Sequence, residues 1–397
     1  MKPRVLLVTT YYHPVIGGVE SHARQLVQHL GARGFPVEVL TKRTHRDHAP
    51  IERIDGVSVH RLPPIGERRA GGKWAVMPTL FAELLGRRGT FDVVFCIDYR
   101  GIGVAAIAAR RFNRRPVVLQ AEVAGVLAGA DDRASSGLAP EPALAQAIKA
   151  PIRAIYRRAD AFACIGRDLE REALRAGVAR ERVHYLPHGV DATRFRPANV
   201  GERDELRAAF GWPASRPIVL FVGRLSVEKG VMDLLEAWRI AKRGEALLVL
   251  VGPDMIGHPW DAGAPGRAFV ATHGLGDSVR FDGATPDPAP FYRAADVFVQ
   301  PSHFEALGNT AIEAMASGLP VLSSGVGGLA DFCIGGVNAL LHEPRSPESI
   351  AGGIERLLGN TALRSTLGDA ARGTAVDQFE INALMDRYSA LIENVRV

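Results

Sequence analysis

The sequence predicts an α/β protein of two domains, each built around a parallel β-sheet with helices on both faces. Short, entirely apolar runs, typical of strands buried on both sides, alternate with amphipathic helical patterns. This alternation lapses between residues 187 and 213 and then begins again. A chain of 397 residues also fits two domains, at about 100 to 200 residues per domain.

The first half opens on a strand at residues 4–9, a Gly-Gly turn and an amphipathic helix at residues 19–30. The same pattern predicts strands at 37–40, 93–97, 117–119 and 161–165, and helices at 104–111 and 167–176. A segment rich in Ala, Gly, Ser and Pro, residues 124–143, predicts a mobile loop.

The second half repeats the alternation. Its strands are predicted at 218–222, 247–251, 279–281, 297–300 and 321–323, with helices that include 309–316 and a last one at 381–395. We therefore place an N-terminal domain at residues 1–195 and a C-terminal domain at 196–379, with the helix at 380–397 returning to the first domain. Two such sheets in tandem predict a binding cleft between them.

Composition excludes several classes of protein. Hydrophobic residues make up 47% of the chain and charged residues 23%, which excludes a disordered protein, and no apolar run approaches the roughly 18 residues of a membrane span. No signal peptide is recognised at the start. Three cysteines without C-x-x-C spacing predict neither a disulfide framework nor a zinc site, so we expect a cytoplasmic protein.

Charge is divided unevenly along the chain. The first 200 residues carry 31 Lys and Arg against 19 Asp and Glu, whereas the remainder carries 17 against 24. A basic half indicates an anionic partner such as a phosphate-rich ligand or acidic lipid, although arginine-rich composition alone would produce the same excess. Aromatic residues are only 7%, which argues against a nucleic-acid surface.

The first glycine-rich loop, residues 12–20, leaves a strand and enters a helix. Gly17 and Gly18 would let an anion approach the unpaired amides at the helix start, but a structural tight turn explains the glycines equally well. His13 in the same loop is either a local capping residue or a ligand contact.

A second loop, residues 223–230, follows the strand at 218–222. Arg224 offers a planar fork of donors and Lys229 a point charge, both at the carboxyl end of a strand. This arrangement favours a diphosphate ligand, although the spacing does not match a Walker A loop.

A third segment, residues 301–321, carries two carboxylates. Glu305 lies in the loop after the strand at 297–300, and Glu313 lies inside the helix that Asn309 or Thr310 can cap. We expect Glu305 near a reacting sugar and Glu313 as an acceptor of hydroxyl hydrogen bonds, with the amides of Gly308 to Thr310 available to phosphate oxygens. The alternative is an exposed Glu305 and a Glu313 that pairs with an arginine.

Together these motifs resemble the retaining glycosyltransferases of family 4. They are Gly-Gly-x-Glu near the N-terminus, Pro-His-Gly-Val-Asp-x-x-x-Phe at 187–195, Gly-Arg-Leu-x-x-Glu-Lys-Gly at 223–230, and Glu-x7-Glu followed by Ala-Met-Ala-x-Gly-x-Pro-Val. The resemblance covers nearly the whole chain. It implies the GT-B fold, in which two Rossmann-like domains face each other across a cleft and a C-terminal helix crosses back.

The resemblance also implies roles for individual residues. Donor-binding residues would be Gly17, Gly18, Arg224, Lys229, Arg280, Gly308, Asn309, Thr310 and Glu313; catalytic residues would be Glu305 and Glu122; acceptor-binding residues would be His13 and Glu20. Within these sets, Arg280 would lie beside the nucleobase. The family usually needs no metal, and the sequence has no Asp-x-Asp and no clustered histidines.

This chain departs from the family pattern in its first half. Glu122 stands where a histidine is frequent, Phe95 to Asp98 replaces a common His-x-His, and Pro-Asn-Gly has become Pro187-His188-Gly189. These departures concern the acceptor and the sugar more than the fold.

We predict a metal-independent hexosyltransferase with no cofactor, which takes a UDP- or GDP-sugar as donor. The acceptor would be a cell-surface glycan, a lipopolysaccharide or glycolipid precursor, or a soluble small molecule. A glycosidase, a pyridoxal-dependent glycan phosphorylase and a noncatalytic sugar-nucleotide sensor are the alternatives.

Residues 144–158 alternate apolar and basic side chains. They are either an interfacial helix, which would place the enzyme at the inner membrane face, or a core helix packed on the first sheet.

Overall fold

The computed structural model describes residues 1–15, 17–66, 74–127 and 142–395. It divides the chain into two compact units, one formed by Met1–Gly189 with Asn382–Val397 and the other by Val190–Ile381. The division falls at Gly189, so residues 190–195, which the sequence assigned to the first domain, lie in the second unit. Most of the predicted loop at 124–143 lies outside the described residues.

The first unit alternates strands and helices. Its elements are β1 (Val5–Thr9), α1 (Gly18–Ala32), β2 (Val37–Lys42), β3 (Ile51–Ile54), β4 (Val57–Leu62), α2 (Met77–Gly86), β5 (Val93–Ile97), α3 (Ile102–Asn113), β6 (Val117–Ala121), α4 (Ala143–Tyr156), β7 (Ala161–Cys164), α5 (Arg167–Arg175) and β8 (Val183–Tyr185). Every residue of β1, β5, β6 and β7 is buried, as the apolar runs predict for strands covered on both faces.

The first sheet has eight strands in the order β3-β4-β2-β1-β5-β6-β7-β8. Every neighbouring pair is parallel except β3 and β4, which form an antiparallel hairpin at one edge. The sequence analysis missed this hairpin, whose turn residues Asp55 and Gly56 both have positive φ, 51° and 80°. An Asp-Gly pair in that conformation is typical of a type I′ turn.

The second unit contains the remaining strands. Its elements are α6 (Glu202–Phe210), β9 (Ile218–Val222), α7 (Val231–Ile240), β10 (Leu247–Val251), α8 (Gly263–Thr272), β11 (Val279–Gly283), α9 (Ala289–Ala294), β12 (Val297–Gln300), α10 (Asn309–Ala316), β13 (Val321–Ser323), β14 (Leu340–Leu341), α11 (Pro347–Leu358) and α12 (Thr361–Phe379). The strands form one parallel sheet in the order β11-β10-β9-β12-β13-β14. Because parallel strands end at the same edge, the loops after β9, β10 and β12 lie close together.

The last helix, α13 (Ile381–Asn394), belongs almost entirely to the first unit. The Tyr388 hydroxyl, which is fully buried, donates to the carbonyl of Leu186 at 2.8 Å. Arg33 at the end of α1 pairs with Asp386 at 2.8 Å. The chain therefore returns to its first unit after it has completed the second.

Candidate functional site

The loop between β9 and α7 packs directly against the loop that follows β12. Gly230 has a φ of 71°, and a Cβ on it would lie 2.0 Å from the carbonyl oxygen of Pro301. The amide of His303 donates to the carbonyl of Glu228 at 2.9 Å. Only glycine allows this approach, so Gly230 sets the distance between the two loops.

Lys229 and Glu305 meet where these loops touch. The Lys229 ammonium donates to Oε1 of Glu305 at 2.6 Å, and the two side chains are 20% and 8% exposed. The same carboxylate oxygen accepts from the side-chain amide of Gln300 at 2.7 Å and from the Ser302 hydroxyl at 2.8 Å. Glu305 is thus held by two neutral donors as well as by its cation.

The network continues to the start of α10. The Thr310 hydroxyl donates to the side-chain oxygen of Gln300 at 2.8 Å. Gly308, just before the helix, has a φ of 99°, and a Cβ there would lie 2.4 Å from a methyl of Leu329. The first amides of a helix carry partial positive charge and have no partner within the helix. Lys229 and Glu305 therefore lie together beside the N-terminus of a helix.

Arg224 lies on the same loop and is more exposed. Its guanidinium donates to Glu228 at 2.7 Å, and its side chain is 42% exposed. An exposed pair of this kind contributes little to stability and is readily exchanged for another anion.

Glu313 is separated from the charged network. It is half-buried and accepts a hydrogen bond from the hydroxyl of Tyr292 at 2.9 Å. Burial raises the pKa of the Glu313 carboxyl to about 7, a rise that the Tyr292 hydrogen bond opposes. Among the described residues Glu313 takes its hydrogen bond from this tyrosine and forms no ion pair with an arginine, contrary to the alternative weighed from the sequence.

Arg280 has different surroundings. It is exposed on β11, where its guanidinium donates to Asp282 at 2.5 Å and to the carbonyl of Gly211 at 3.1 Å. These partners lie outside the Lys229 network, and the proposed contact with a nucleobase stays a prediction.

In the first unit, the Gly-Gly turn starts α1 as predicted, but a carboxylate already covers it. A Cβ on Gly17 would lie 2.2 Å from Oε2 of Glu20, and Gly18 is the first helical residue. Because Glu20 sits over the helix start, an incoming anion would meet its charge first.

His13 precedes this turn. Its carbonyl accepts from Arg61 at 2.6 Å, and its Nδ1 lies 3.5 Å from the guanidinium of Arg24. Partial burial, followed by the charge of Arg24, lowers the pKa of His13.

Glu122 follows β6 and is buried in a polar cluster. Its Oε1 accepts from Gln120 at 2.5 Å and lies 3.1 Å from Nε2 of His188. The ring of His188 stacks on that of His22, with centroids 3.8 Å apart and an interplanar angle of 12°. The sequence has no clustered histidines, yet the fold brings these two together.

The carboxylate and the two imidazoles have ligand atoms within 4.8 Å of one another. A metal ion must lie near the plane of each imidazole that binds it, because the nitrogen lone pair lies in that plane. Two stacked, nearly parallel rings offer no such common point. The arrangement of His22 and His188 therefore does not fit one shared ion.

Helix α4 contains most of residues 144–158, for which the sequence left two interpretations open. Of the residues of this fully described helix, Tyr156 is buried, whereas Leu144 and Ile148 are 74% and 64% exposed. The apolar side chains near its start are thus exposed, whereas Ile152 and Ile155 nearer its end are partly buried. Within the parts of the chain that the structure describes, no helix combines the length and apolarity needed to cross a bilayer.

Sequence reasoning missed the neutral side chains that hold the charged ones. Gln300 and Ser302 fix Glu305, and Tyr292 contacts Glu313. A polar residue at the end of an otherwise apolar buried strand, as Gln300 is, was the available signal for the first of these.

Comparison with known proteins gives consistent matches over both units. Residues 17–189 match the family described as "Glycosyl transferase 4-like domain", and residues 202–374 match "Glycosyl transferases group 1". D-inositol 3-phosphate glycosyltransferase 1 of Catenulispora acidiphila is 30% identical, and the match covers 96% of this chain and 92% of that protein.

Solved structures agree in fold. Sucrose-phosphate synthase from Thermosynechococcus elongatus has a TM-score of 0.81 and 26% identity, over 98% of both chains. Anabaena HepE, solved with UDP and glucose, has a TM-score of 0.78 and 19% identity, over 99% of this chain and 100% of that one. The chain belongs to the family 4 type of glycosyltransferases and has the GT-B fold.

Proposed function

We propose that this protein transfers a hexose from a UDP-sugar to an acceptor hydroxyl with retention of anomeric configuration. The observation that carries the proposal is the Lys229–Glu305 pair beside the start of α10. A nucleoside diphosphate leaves with a growing negative charge, and a cation with helix amides nearby stabilises that charge. HepE, which was solved in complex with UDP and glucose, supports uracil as the base.

In this mechanism Arg224 and Lys229 exchange their carboxylate partners for the diphosphate. Glu305 keeps its place when Lys229 moves, because Gln300 and Ser302 still donate to it. Its carboxylate then faces the positive charge that develops at the anomeric carbon. Glu313 accepts hydrogen bonds from the ribose hydroxyls.

The transfer step needs no metal. The bond from the anomeric carbon to the β-phosphate oxygen breaks, the bond to the acceptor oxygen forms on the same face, and the acceptor proton passes to the departing phosphate. Fixed cations and helix amides carry the charge that a metal carries in other transferases.

A phosphorylated polyol is our first candidate for the acceptor. It is supported by the similarity to the Catenulispora relative, a D-inositol 3-phosphate glycosyltransferase, and by the positive charge of the first half of the chain. His13 and Glu20 are the candidate acceptor contacts and Glu122 is the candidate catalytic residue of the same unit.

A membrane-associated acceptor is the second candidate, and the exposed apolar residues of α4 favour it. Leu144 and Ile148 share this helix with Lys149 and Arg153, a combination that suits the surface of an anionic membrane.

Donor turnover tests the function directly. Purified protein is incubated with UDP-glucose or GDP-mannose, with D-inositol 3-phosphate or without acceptor, and release of UDP or GDP is measured. Acceptor-dependent release of UDP, and an α-linked product by NMR, are expected. No binding of either nucleotide and no release would refute the proposal.

Sedimentation with liposomes separates the two acceptors. If the acceptor lies at a membrane, the wild-type protein should sediment with phosphatidylglycerol vesicles and the variant Ile148→Asp should not. Equal, negligible binding to anionic and neutral vesicles would leave the polyol phosphate as the acceptor class.

A further inference from the structure

The two departures from the family pattern at positions 122 and 188 are in direct contact. By the resemblance drawn from the sequence motifs, Glu122 stands where a histidine is expected and His188 where an asparagine is expected. The His188 ring nitrogen lies 3.1 Å from the Glu122 carboxylate, although 66 positions separate them in the chain. The imidazole that position 122 lacks is therefore supplied by His188, which lies beside it.

The pair is almost completely shielded from water. Glu122 and His188 are each 5% exposed, and Gln120 beneath them is fully buried. A buried carboxylate is costly unless donors surround it. The amide of Gln120 donates to Glu122, and His188 is a second donor in the tautomer that carries its proton on Nε2.

His22 covers the other face of His188. Its ring is 1% exposed and stacks on the ring of His188. Burial, reinforced by the neighbouring His188, keeps the pKa of His22 well below its usual value. A neutral His22 therefore fixes the plane of the His188 ring without competing for Glu122.

We infer that His188 is a positioning residue that orients the Glu122 carboxylate, so that Glu122 and His188 act as one unit in place of the family's single histidine. The inference rests on the proposed function only for its effect on turnover. The contact itself is a property of the first unit and can be measured without substrate.

Kinetics of two single variants and of the double variant test the Glu122–His188 pair. His188→Asn should lower kcat for UDP release from UDP-glucose by roughly ten- to a hundredfold with little change in KM, because a small misplacement of a reacting group is costly. Glu122→His alone should also lose activity, since it places imidazole against imidazole. The double variant Glu122→His, His188→Asn should recover to within about tenfold of wild type, because residues in contact are not additive.

His184→Asn is the matched control. His184 lies on β8 in the same unit and is only half-buried, so its loss should leave kcat unchanged. A double variant no more active than the worse single variant would overturn the inference.

NMR provides a readout that does not depend on activity. Two-bond 1H–15N spectra of ¹⁵N-histidine-labelled protein should show His188 with its proton on Nε2, and this signal should shift in Glu122→Gln while that of His184 stays in place. His188 signals that are unaffected by Glu122→Gln would overturn the pair even in an active enzyme. Joint loss of the His22 and His188 signals on addition of one equivalent of ZnCl2 would overturn it in favour of a metal site.

Discussion

Neutralising Glu305 is expected to separate donor binding from turnover. Glu305 accepts a hydrogen bond from the Lys229 ammonium at 2.6 Å, so a diphosphate must compete with a carboxylate for the same cation. Glutamine at 305 keeps the shape of the side chain, and its amide oxygen can still accept from Gln300 and Ser302. Lys229 then becomes free for the diphosphate.

The expected magnitudes follow from the exposure of the pair. A charge-assisted hydrogen bond contributes about 1.5 to 3 kcal/mol, so Lys229→Met should weaken UDP binding by roughly ten- to a hundredfold. Lys229 and Glu305 are only 20% and 8% exposed, but Gln300 and Ser302 still donate to Glu305 when Lys229 leaves, so the cost of parting the pair lies at the lower end of that range, about 1.5 kcal/mol. Glu305→Gln should therefore bind UDP as tightly as wild type or up to about tenfold more tightly.

Turnover should move in the opposite direction. Loss of a preorganised charge that stabilises the transition state lowers kcat by about 10² to 10³, so Glu305→Gln should bind UDP well and turn over UDP-glucose poorly. Isothermal titration calorimetry with UDP and steady-state UDP release measure the two effects. Glu228→Gln is the control, because the Arg224–Glu228 pair is far more exposed and its removal should change the Kd less than about threefold.

A Glu305→Gln variant that loses UDP affinity as severely as Lys229→Met would refute this reasoning. Glu305 would then be a structural support of the loop at 223–230, and its charge would have no separate part in the transfer.

Three further outcomes are expected. The pKa of Glu313 is raised to about 7, so its carboxyl group is neutral in acid. The affinity of the wild type for UDP should therefore fall as the pH drops through about 7, whereas the affinity of Glu313→Gln should stay level. Calorimetry at several pH values measures both. A carboxyl group with a raised pKa makes the folded state less stable as the pH rises from its pKa in the unfolded chain through about 7. The melting temperature of the wild type relative to that of Glu313→Gln should therefore decline over this pH range. A constant difference between the two melting temperatures would contradict the burial argument. Gly230→Ala, which would place a Cβ 2.0 Å from the Pro301 carbonyl, should lower the melting temperature and weaken UDP binding together, whereas Gly244→Ala, also at positive φ but with open space around it, should lower stability alone.

The sheet strands were largely predictable because a strand that is buried on both faces has a continuous apolar sequence. The strands at 218–222, 247–251 and 297–300 were predicted with the bounds they have in the structure. The hairpin of β3 and β4 was not, because β3 is partly exposed and its residues alternate in burial. Its Asp-Gly turn carried the signal that the apolar pattern lacked.

The site was predictable in part, for a different physical reason. Loops after parallel strands converge, so Lys229 and Glu305 could be placed near each other from the order of elements alone. The contact between Glu122 and His188 could not, because it joins the end of β6 to a residue beyond β8 and depends on side-chain rotamers. Neutral residues such as Gln300 carry no chemical signature until their partners are known.

The return of α13 to the first unit also determines the order in which the protein can be completed during synthesis. Domains that are continuous in sequence can fold one after another as they leave the ribosome, but here residues 382–395 emerge after all of Val190–Ile381. The binding place of the fully buried Tyr388, whose hydroxyl reaches Leu186, stays empty until then. The second unit can therefore finish folding first, and a fragment that ends at Gly189 would expose the surface that α13 covers.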